Sequence, residues 1–227
     1  METARQPTDH YKLLFIFLLS SLLLAMVATA QSAAPMVQTM TSRARPRPRP
    51  RTGPMDFIKA NCGATRYPAL CVQSLSVYAK DIQKSPRQLA HAALAVSLAH
   101  ARSATAFVAK LSGAKGMRPR DHAALMDCVE NMGDSVDRLG RSIREMGRVS
   151  RSGRGGFEWH MSNVQTWVSA ALTDESTCVD GFAGPAMSAY MRAAVKRRIV
   201  NVSMVTSNAL ALVNRFAQRQ GGLVYNP

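Results

Sequence analysis

The pattern of apolar residues predicts four long amphipathic helices in the second half and centre of the chain. The clearest pattern begins at about Pro119, where apolar residues recur in alternating steps of four and three: Leu125, Val129, Met132, Val136, Leu139, Ile143 and Met146. This spacing places the side chains on one face of a helix. Similar patterns cover residues 85–113, about 160–184 and about 186–218, and no strand pattern competes with them.

Local signals support these helices and predict how they are joined. Ser85 and Pro86 supply an N-cap and a first-turn proline, and Gly113 ends the same helix. Residues 55–80 predict shorter helical pieces, and Arg151–Gly156 predicts a flexible loop. Long helices with short connections favour an all-α fold. We therefore predict an up-down-up-down antiparallel four-helix bundle with an N-terminal helical hairpin and two disulfides.

The N-terminus has the pattern of a secretory signal peptide, predicted to cover residues 1–30. An apolar run from Leu13 to Val27 is followed by the small residues Ala28-Thr29-Ala30. The run has 15 residues, fewer than the roughly 20 that span a bilayer as a helix. A signal anchor is the alternative, but cleavage is the better account, and it leaves no predicted membrane span. The protein is therefore expected outside the cell.

All four cysteines follow the predicted cleavage point: Cys62, Cys71, Cys128 and Cys178. An even number of cysteines in a secreted chain favours two disulfides. Sequence alone leaves all three possible pairings open. No CxxC or HExxH motif is present, so we expect no metal site.

Residues 31–53 predict an extended, disordered linker, followed by a folded domain over 54–220 and a tail over 221–227. The linker alternates proline with five arginines, which are Arg43, Arg45, Arg47, Arg49 and Arg51. Proline restricts the backbone and the arginines repel one another, so the segment stays extended. The arm either binds a polyanion such as acidic wall polysaccharide or serves as a low-complexity spacer.

The net charge favours an anionic partner beyond this arm. The chain carries 29 Lys and Arg against 14 Asp and Glu, a formal charge of +15. Without residues 1–53 the count is 22 against 12, so the folded domain is basic by itself. A secreted location makes nucleic acid a poor candidate for the anion.

No arrangement of residues in the sequence indicates catalysis or a cofactor. A GxSxG elbow, a P-loop and a dinucleotide fingerprint are all absent. Each histidine is explained as a structural or solvent-facing residue, and Trp159 and Trp167 are expected to be packing anchors. Asn201 begins the one N-glycosylation sequon, but the sequon lies in a predicted helix, which leaves its occupancy open.

One segment carries a family resemblance. Residues 163–182, which include Trp-Val-Ser-Ala-Ala-Leu-Thr and end in Thr-Cys-Val-Asp-Gly-Phe, resemble the signature of the plant invertase/pectin methylesterase inhibitor family. The resemblance extends over about residues 55–218. It lacks the Pro-Lys-Phe segment of invertase inhibitors, which favours the pectin methylesterase branch. The family pattern implies the pairs Cys62–Cys71 and Cys128–Cys178.

The resemblance implies a secreted cell-wall protein, without a cofactor, that covers the substrate cleft of pectin methylesterase in a noncovalent complex. It assigns to the contact face an acidic pair after the helix-two cysteine and a threonine before the helix-three cysteine. These positions are Glu130, Asp134 and Thr177. The alternative for the acidic pair is a solvated face, relieved by Arg138 and Arg141 one turn away.

Two other functions remain open from the sequence. The same fold inhibits acid invertases of the cell wall or vacuole, which is the nearest alternative. A protein of another class, a structural wall protein that binds pectin through its basic arm and surface, also fits the charge.

Overall fold

A computed structural model describes residues 53–149, 153–183 and 188–222, and for residues 154, 221 and 222 it describes the backbone alone. The chain divides into two units, residues 1–49 and 50–227, and every described residue belongs to the second. The predicted signal peptide, the five linker arginines and residues 223–227 lie outside the described residues.

The described chain begins with three short helices and one 3-10 turn. These are α1 (Pro54–Cys62), α2 (Pro68–Leu75), the 3-10 turn (Ser76–Tyr78) and α3 (Ala79–Ile82). A disulfide between Cys62 and Cys71 ties α1 to α2. The break between them is held by Asn208, whose Oδ1 accepts from the Tyr67 N–H at 3.0 Å and whose Nδ2 donates to the Tyr67 carbonyl at 3.0 Å. Helices this short are not stable alone, so they depend on docking to the rest of the domain.

Four long helices follow and form the predicted bundle. They are α4 (Pro86–Ser112), α5 (Pro119–Arg148), α6 (Arg154–Asp180) and α7 (Ala189–Gly222). Each packs against the next, and α4 closes the ring against α7. Ser85 caps α4 as predicted, since its Oγ accepts from the Gln88 N–H at 3.2 Å. The core is filled by the inward stripes of all four helices, including Leu94, Leu125, Met132, Leu139, Val168, Ile199 and Phe216.

The prediction of a loop over Arg151–Gly156 is wrong at its C-terminal end. Helix α6 begins at Arg154, six residues before the expected start near His160, and its first turn includes two glycines. The Phe157 N–H donates to the Gly153 carbonyl at 3.0 Å, and the Phe157 ring packs edge-on against Phe216 of α7, with 5.8 Å between centroids. Burial of this ring against Phe216 offsets the low helix propensity of glycine.

Trp159 also differs from its predicted role as a packing anchor. Its residue surface is 67% exposed, because it lies on the outer face of α6. Trp167, by contrast, is half-buried.

Of the helices that the structure describes, α4 alone is long and apolar enough to cross a membrane by length and composition. Several of its apolar residues, among them Leu89, Leu94 and Val108, are buried in the bundle, and others, such as Leu98 and Phe107, pack against the core while partly buried. This packing accounts for their apolar character.

Candidate partner-binding face

The face indicated by the sequence lies at the disulfide that joins α5 and α6. Cys128 and Cys178 form this bond, with 4.4 Å between their Cα atoms, and both residues are buried. The structure therefore contains the same two cysteine pairs that the resemblance implied. The bond holds the two helices at a fixed separation, so the residues beside it are presented on a rigid surface.

The three candidate contact residues are all exposed on these two helices. Glu130 and Asp134 lie one turn apart on α5, and the Asp134 side chain is 61% exposed. Thr177 lies on α6 next to the disulfide, and its Oγ1 donates to the Thr173 carbonyl at 2.9 Å. We call the exposed surface formed by Glu130, Asp134 and Thr177 the acidic face.

Arg138 lies at the edge of the acidic face, but it is mainly engaged with another carboxylate. Its Nε donates to Asp174 Oδ2 at 2.6 Å, whereas Asp134 Oδ2 is 4.0 Å from the Arg138 guanidinium. Burial raises the pKa of Asp174, and the ion pair with Arg138 opposes this shift. Among the described residues, the ion pair of Asp134 is thus long and exposed, and such a pair contributes little to stability.

The buried side of the same helices holds a carboxyl group that the sequence analysis did not single out. Glu175 on α6 is fully buried between α5 and α7. Its Oε1 accepts from Ser135 Oγ of α5 and from Thr206 Oγ1 of α7, both at 2.9 Å. Its Oε2 is buried with no hydrogen-bond partner among the described residues.

The surroundings of Glu175 favour its neutral form. Burial raises its pKa from 4.5 to about 7, although the hydrogen bonds from Ser135 and Thr206 act in the opposite direction. The nearby Ser203 hydroxyl, which donates to the Ile199 carbonyl, acts in the same direction as these two bonds. The nearby charge of Asp174 adds to the increase. Desolvation dominates because a carboxylate loses more hydration than hydroxyl donors return.

A second missed carboxyl group, Glu145, joins the end of α5 to the start of α6. It is 3% exposed and accepts from His160 Nδ1 at 2.7 Å, Asn163 Nδ2 at 3.1 Å and Arg148 at 2.9 Å. Burial opposes ionisation, but these hydrogen bonds and positive charges outweigh it and lower the pKa of Glu145. The cluster anchors α6, and His160 has the structural role that the sequence analysis expected.

A signal for Glu175 is present in the sequence. Val168, Ala171, Glu175, Cys178 and Phe182 are spaced by three, four, three and four residues, which places the glutamate on the apolar face of α6. Its partner Ser135 carries the same kind of signal, since Leu125, Cys128, Met132, Ser135 and Leu139 are spaced by three, four, three and four residues along α5.

The described residues contain no group of three or more His, Cys, Asp or Glu side chains arranged to hold a metal ion. Asn201, the sequon asparagine, lies in the middle of α7, half-buried, with its Oδ1 3.2 Å from His100 Nδ1 of α4.

Comparisons with known proteins support the resemblance carried by residues 163–182. Pectinesterase inhibitor 9 of Arabidopsis thaliana is 49% identical over 167 residues, covering 72% of this chain and 82% of that protein. Pectinesterase inhibitor 11 of Arabidopsis thaliana is 45% identical over 207 residues, covering 91% of this chain and 96% of that protein. A crystal structure of mutant form A of a pectin methylesterase inhibitor from Arabidopsis matches the fold with a TM-score of 0.56 at 20% identity, covering 72% of this chain and 97% of that one.

The family model for plant invertase/pectin methylesterase inhibitors matches residues 56–212. That range takes in both disulfides, α4, α5, α6, most of α7 and the acidic face, and it is well over half of the chain. The chain therefore belongs to the plant invertase/pectin methylesterase inhibitor family.

Proposed function

We propose that this protein is an inhibitor of pectin methylesterase and has no catalytic activity of its own. The observation that carries the proposal is its 49% identity, across most of both chains, to a plant pectinesterase inhibitor. The helical bundle and the two disulfides agree with that family. By limiting removal of methyl esters from pectin, such an inhibitor controls how many carboxylates the cell wall carries.

The acidic face is our candidate for the contact with the enzyme. Its support is that Glu130, Asp134 and Thr177 are exposed on two helices that the Cys128–Cys178 bond holds together. A surface that is already rigid loses little conformational entropy on binding. We infer that this face covers the substrate cleft of the enzyme in a noncovalent complex that needs no cofactor.

The direct test is to add the protein to two enzymes in parallel. Methanol release from methyl-esterified pectin by pectin methylesterase is expected to fall, and sucrose hydrolysis by an acid invertase is expected to continue. The reverse result assigns the protein to the invertase branch of its family. Retention on de-esterified pectin without an effect on either enzyme indicates a structural wall protein instead.

A second experiment tests the acidic face through pH. The resemblance implies that catalytic aspartates line the cleft of the enzyme and that binding is tighter in acid. Two carboxyl groups in contact bind best when they share a proton, so inhibition by the parent protein is expected to weaken at least tenfold from pH 5 to pH 7. The double variant Glu130→Gln, Asp134→Asn is expected to flatten this profile and retain inhibition near neutrality, as measured by inhibition constants at each pH.

The control variant Asp81→Asn, Glu158→Gln removes the same two charges from exposed positions away from the acidic face. It is expected to keep the parent profile. Circular dichroism at both pH values verifies that each protein is folded. If the acidic-face variant keeps the affinity and the pH slope of the parent, Glu130 and Asp134 are only a solvated face.

We also propose that the protein is secreted to the cell wall and that Arg43, Arg45, Arg47, Arg49 and Arg51 bind anionic pectin there. The support is the signal-like N-terminus and the regular alternation of arginine with proline. Replacing all five arginines by Gln is expected to lower the salt concentration that elutes the protein from immobilised polygalacturonate. Inhibition in free solution is expected to remain. If the elution position is unchanged, the arm is a spacer and does not bind pectin.

A further inference from the structure

Charge is divided unequally among the four long helices. Helix α5 carries six acidic residues and α6 carries four, so these two helices hold ten of the fourteen in the chain. Helices α4 and α7, which pack side by side, carry no Asp or Glu and nine Lys or Arg. The charged residues that α4 and α7 contribute to their side of the bundle are therefore all basic, and we call this side the basic surface.

This basic surface contains an open groove of about 880 Å³, which we call the α4–α7 groove. Its volume lies within the range of small-molecule binding sites, about 300–1,000 Å³. Helix α4 contributes His100, Ser103 and Phe107, and α7 contributes Tyr190, Arg197 and Arg198. A groove with this lining presents cations, aromatic rings and neutral hydrogen-bonding groups to one ligand.

Arg198 is held in place by uncharged partners. Its guanidinium donates to Ser103 Oγ at 2.9 Å, and its Cζ lies 4.7 Å from the centroid of the Phe107 ring. A guanidinium has five N–H donors, so one bond to Ser103 leaves others for a ligand. The cation is thus oriented before binding, and no acidic residue on α4 or α7 neutralises it.

Two further residues extend the groove along α7. Arg197 is exposed beside Arg198 and supplies a second cation. Tyr190 lies seven residues before Arg197, two turns away on the same helical face, and it is 84% exposed. An exposed aromatic face binds the apolar C–H face of a sugar ring, while guanidinium groups pair with carboxylates through two parallel hydrogen bonds.

We propose that the α4–α7 groove binds a short stretch of polygalacturonate, with its carboxylates paired to Arg197 and Arg198 and one sugar ring stacked on Tyr190. The identity of the polymer rests on the proposed function. Hydrolysis of each methyl ester by the enzyme consumes one water and yields methanol and a carboxylic acid, which ionises and releases a proton. The groove would thus hold the inhibitor where its target enzyme has already acted.

The test is calorimetric titration of the chain with its five linker arginines replaced by Gln, since the arm is itself proposed to bind this polymer. The titration contains no enzyme, and the ligand is a short, fully de-esterified oligogalacturonate. The double variant Arg197→Gln, Arg198→Gln is expected to lower the affinity at least tenfold. The control variant Arg120→Gln, Arg219→Gln removes the same charge from exposed positions outside the groove and is expected to change the affinity less than twofold. The protein used has a mass that shows Asn201 unmodified, since this residue also lines the groove.

A variant with unchanged charge tests the groove even if the double variant does not fold. Tyr190→Ala changes an exposed side chain without changing charge, and it is expected to lower the affinity several-fold. The fully methyl-esterified oligomer is expected to bind the parent protein only weakly.

If the groove variant and the control variant lose the same affinity for the oligogalacturonate, binding follows net charge alone. This result would overturn the proposal. Tighter groove-dependent binding of inorganic polyphosphate, or of vesicles of anionic lipid, would overturn the choice of a uronate. Because the titration contains no enzyme, oligogalacturonate binding can fail while inhibition of methanol release stands, and the reverse also holds. The two proposals are therefore separately refutable.

Discussion

The variant Glu175→Gln is expected to remove most of the loss of stability that the parent protein suffers between pH 5 and pH 8. The folded protein binds the proton of Glu175 more tightly than the unfolded chain does, because burial raises its pKa from 4.5 to about 7. Below pH 4.5 the group is protonated in both states. As the pH rises toward 7 the unfolded chain loses this proton first, so stability falls, and the loss is complete once the folded state also ionises.

The size of this effect follows from the difference between the two pKa values. One pKa unit corresponds to about 1.4 kcal/mol, so the shift of Glu175 corresponds to a loss of about 3 kcal/mol above pH 7. Glutamine keeps the shape and the acceptor for Ser135 and Thr206 but cannot ionise. The variant is therefore expected to match the parent near pH 5, within about 1 kcal/mol, and to exceed it by about 3 kcal/mol at pH 8.

Urea unfolding followed by circular dichroism at pH 5, 6, 7 and 8 measures this difference. Asp180→Asn, which changes an exposed carboxyl group on the same helix, is the matched control and is expected to keep the parent slope. His91 acts in the opposite direction, since burial and Arg87 lower its pKa, so stability gained from this histidine rises with pH. A parent slope that persists in Glu175→Gln would refute the role assigned to the buried acid.

Removing the Cys128–Cys178 disulfide is expected to cost more stability than any other change considered for this domain. The bond closes a loop of 50 residues, and the chain-entropy relation gives about 4 kcal/mol for a loop of this length. Replacing both cysteines by alanine frees the unfolded chain from that constraint. The free energy of unfolding, measured from urea curves at pH 5, is expected to fall by this amount.

The other disulfide provides a matched comparison. Cys62–Cys71 closes a loop of nine residues, for which the same relation gives about 2.6 kcal/mol. All four cysteines are buried to a similar degree, so the cost of lost packing is nearly equal in the two double-alanine variants. A larger loss for the Cys62–Cys71 variant would show that chain entropy does not set the order.

The sequence was sufficient to predict the helices because their signals are local. Steps of three and four apolar residues placed α4, α5 and α7 within a few residues of their observed limits, and Ser85 marked the start of α4 through its own cap. Where the decisive contact is distant, the prediction was wrong. The first turn of α6 is supported by the packing of Phe157 against Phe216 of α7. Because this turn also contains two glycines, the sequence predicted a loop there.

The sequence also predicted the buried residues of α5 only in part. The predicted stripe included Val136 and Ile143, which are only partly buried, whereas Ser135 and Ser142 beside them are fully buried. Ser135 faces the centre because its hydroxyl donates to the carboxyl group of Glu175, whereas the hydroxyl of Ser142 donates to the Arg138 carbonyl of its own helix. A pattern built from apolar residues alone therefore misses a buried position whose side chain makes a hydrogen bond.

By itself, the sequence determined the all-α class, the order and approximate limits of the long helices, the basic charge and the family resemblance. Each of these depends on residue types and their spacing along one segment. The tertiary structure alone decided which residues of different helices meet: Ser135 and Thr206 on Glu175, and Arg198 against Phe107. The physical reason is that helical periodicity defines the inward face of each helix, while burial, pKa shifts and a shared groove arise only where two or three such faces pack together.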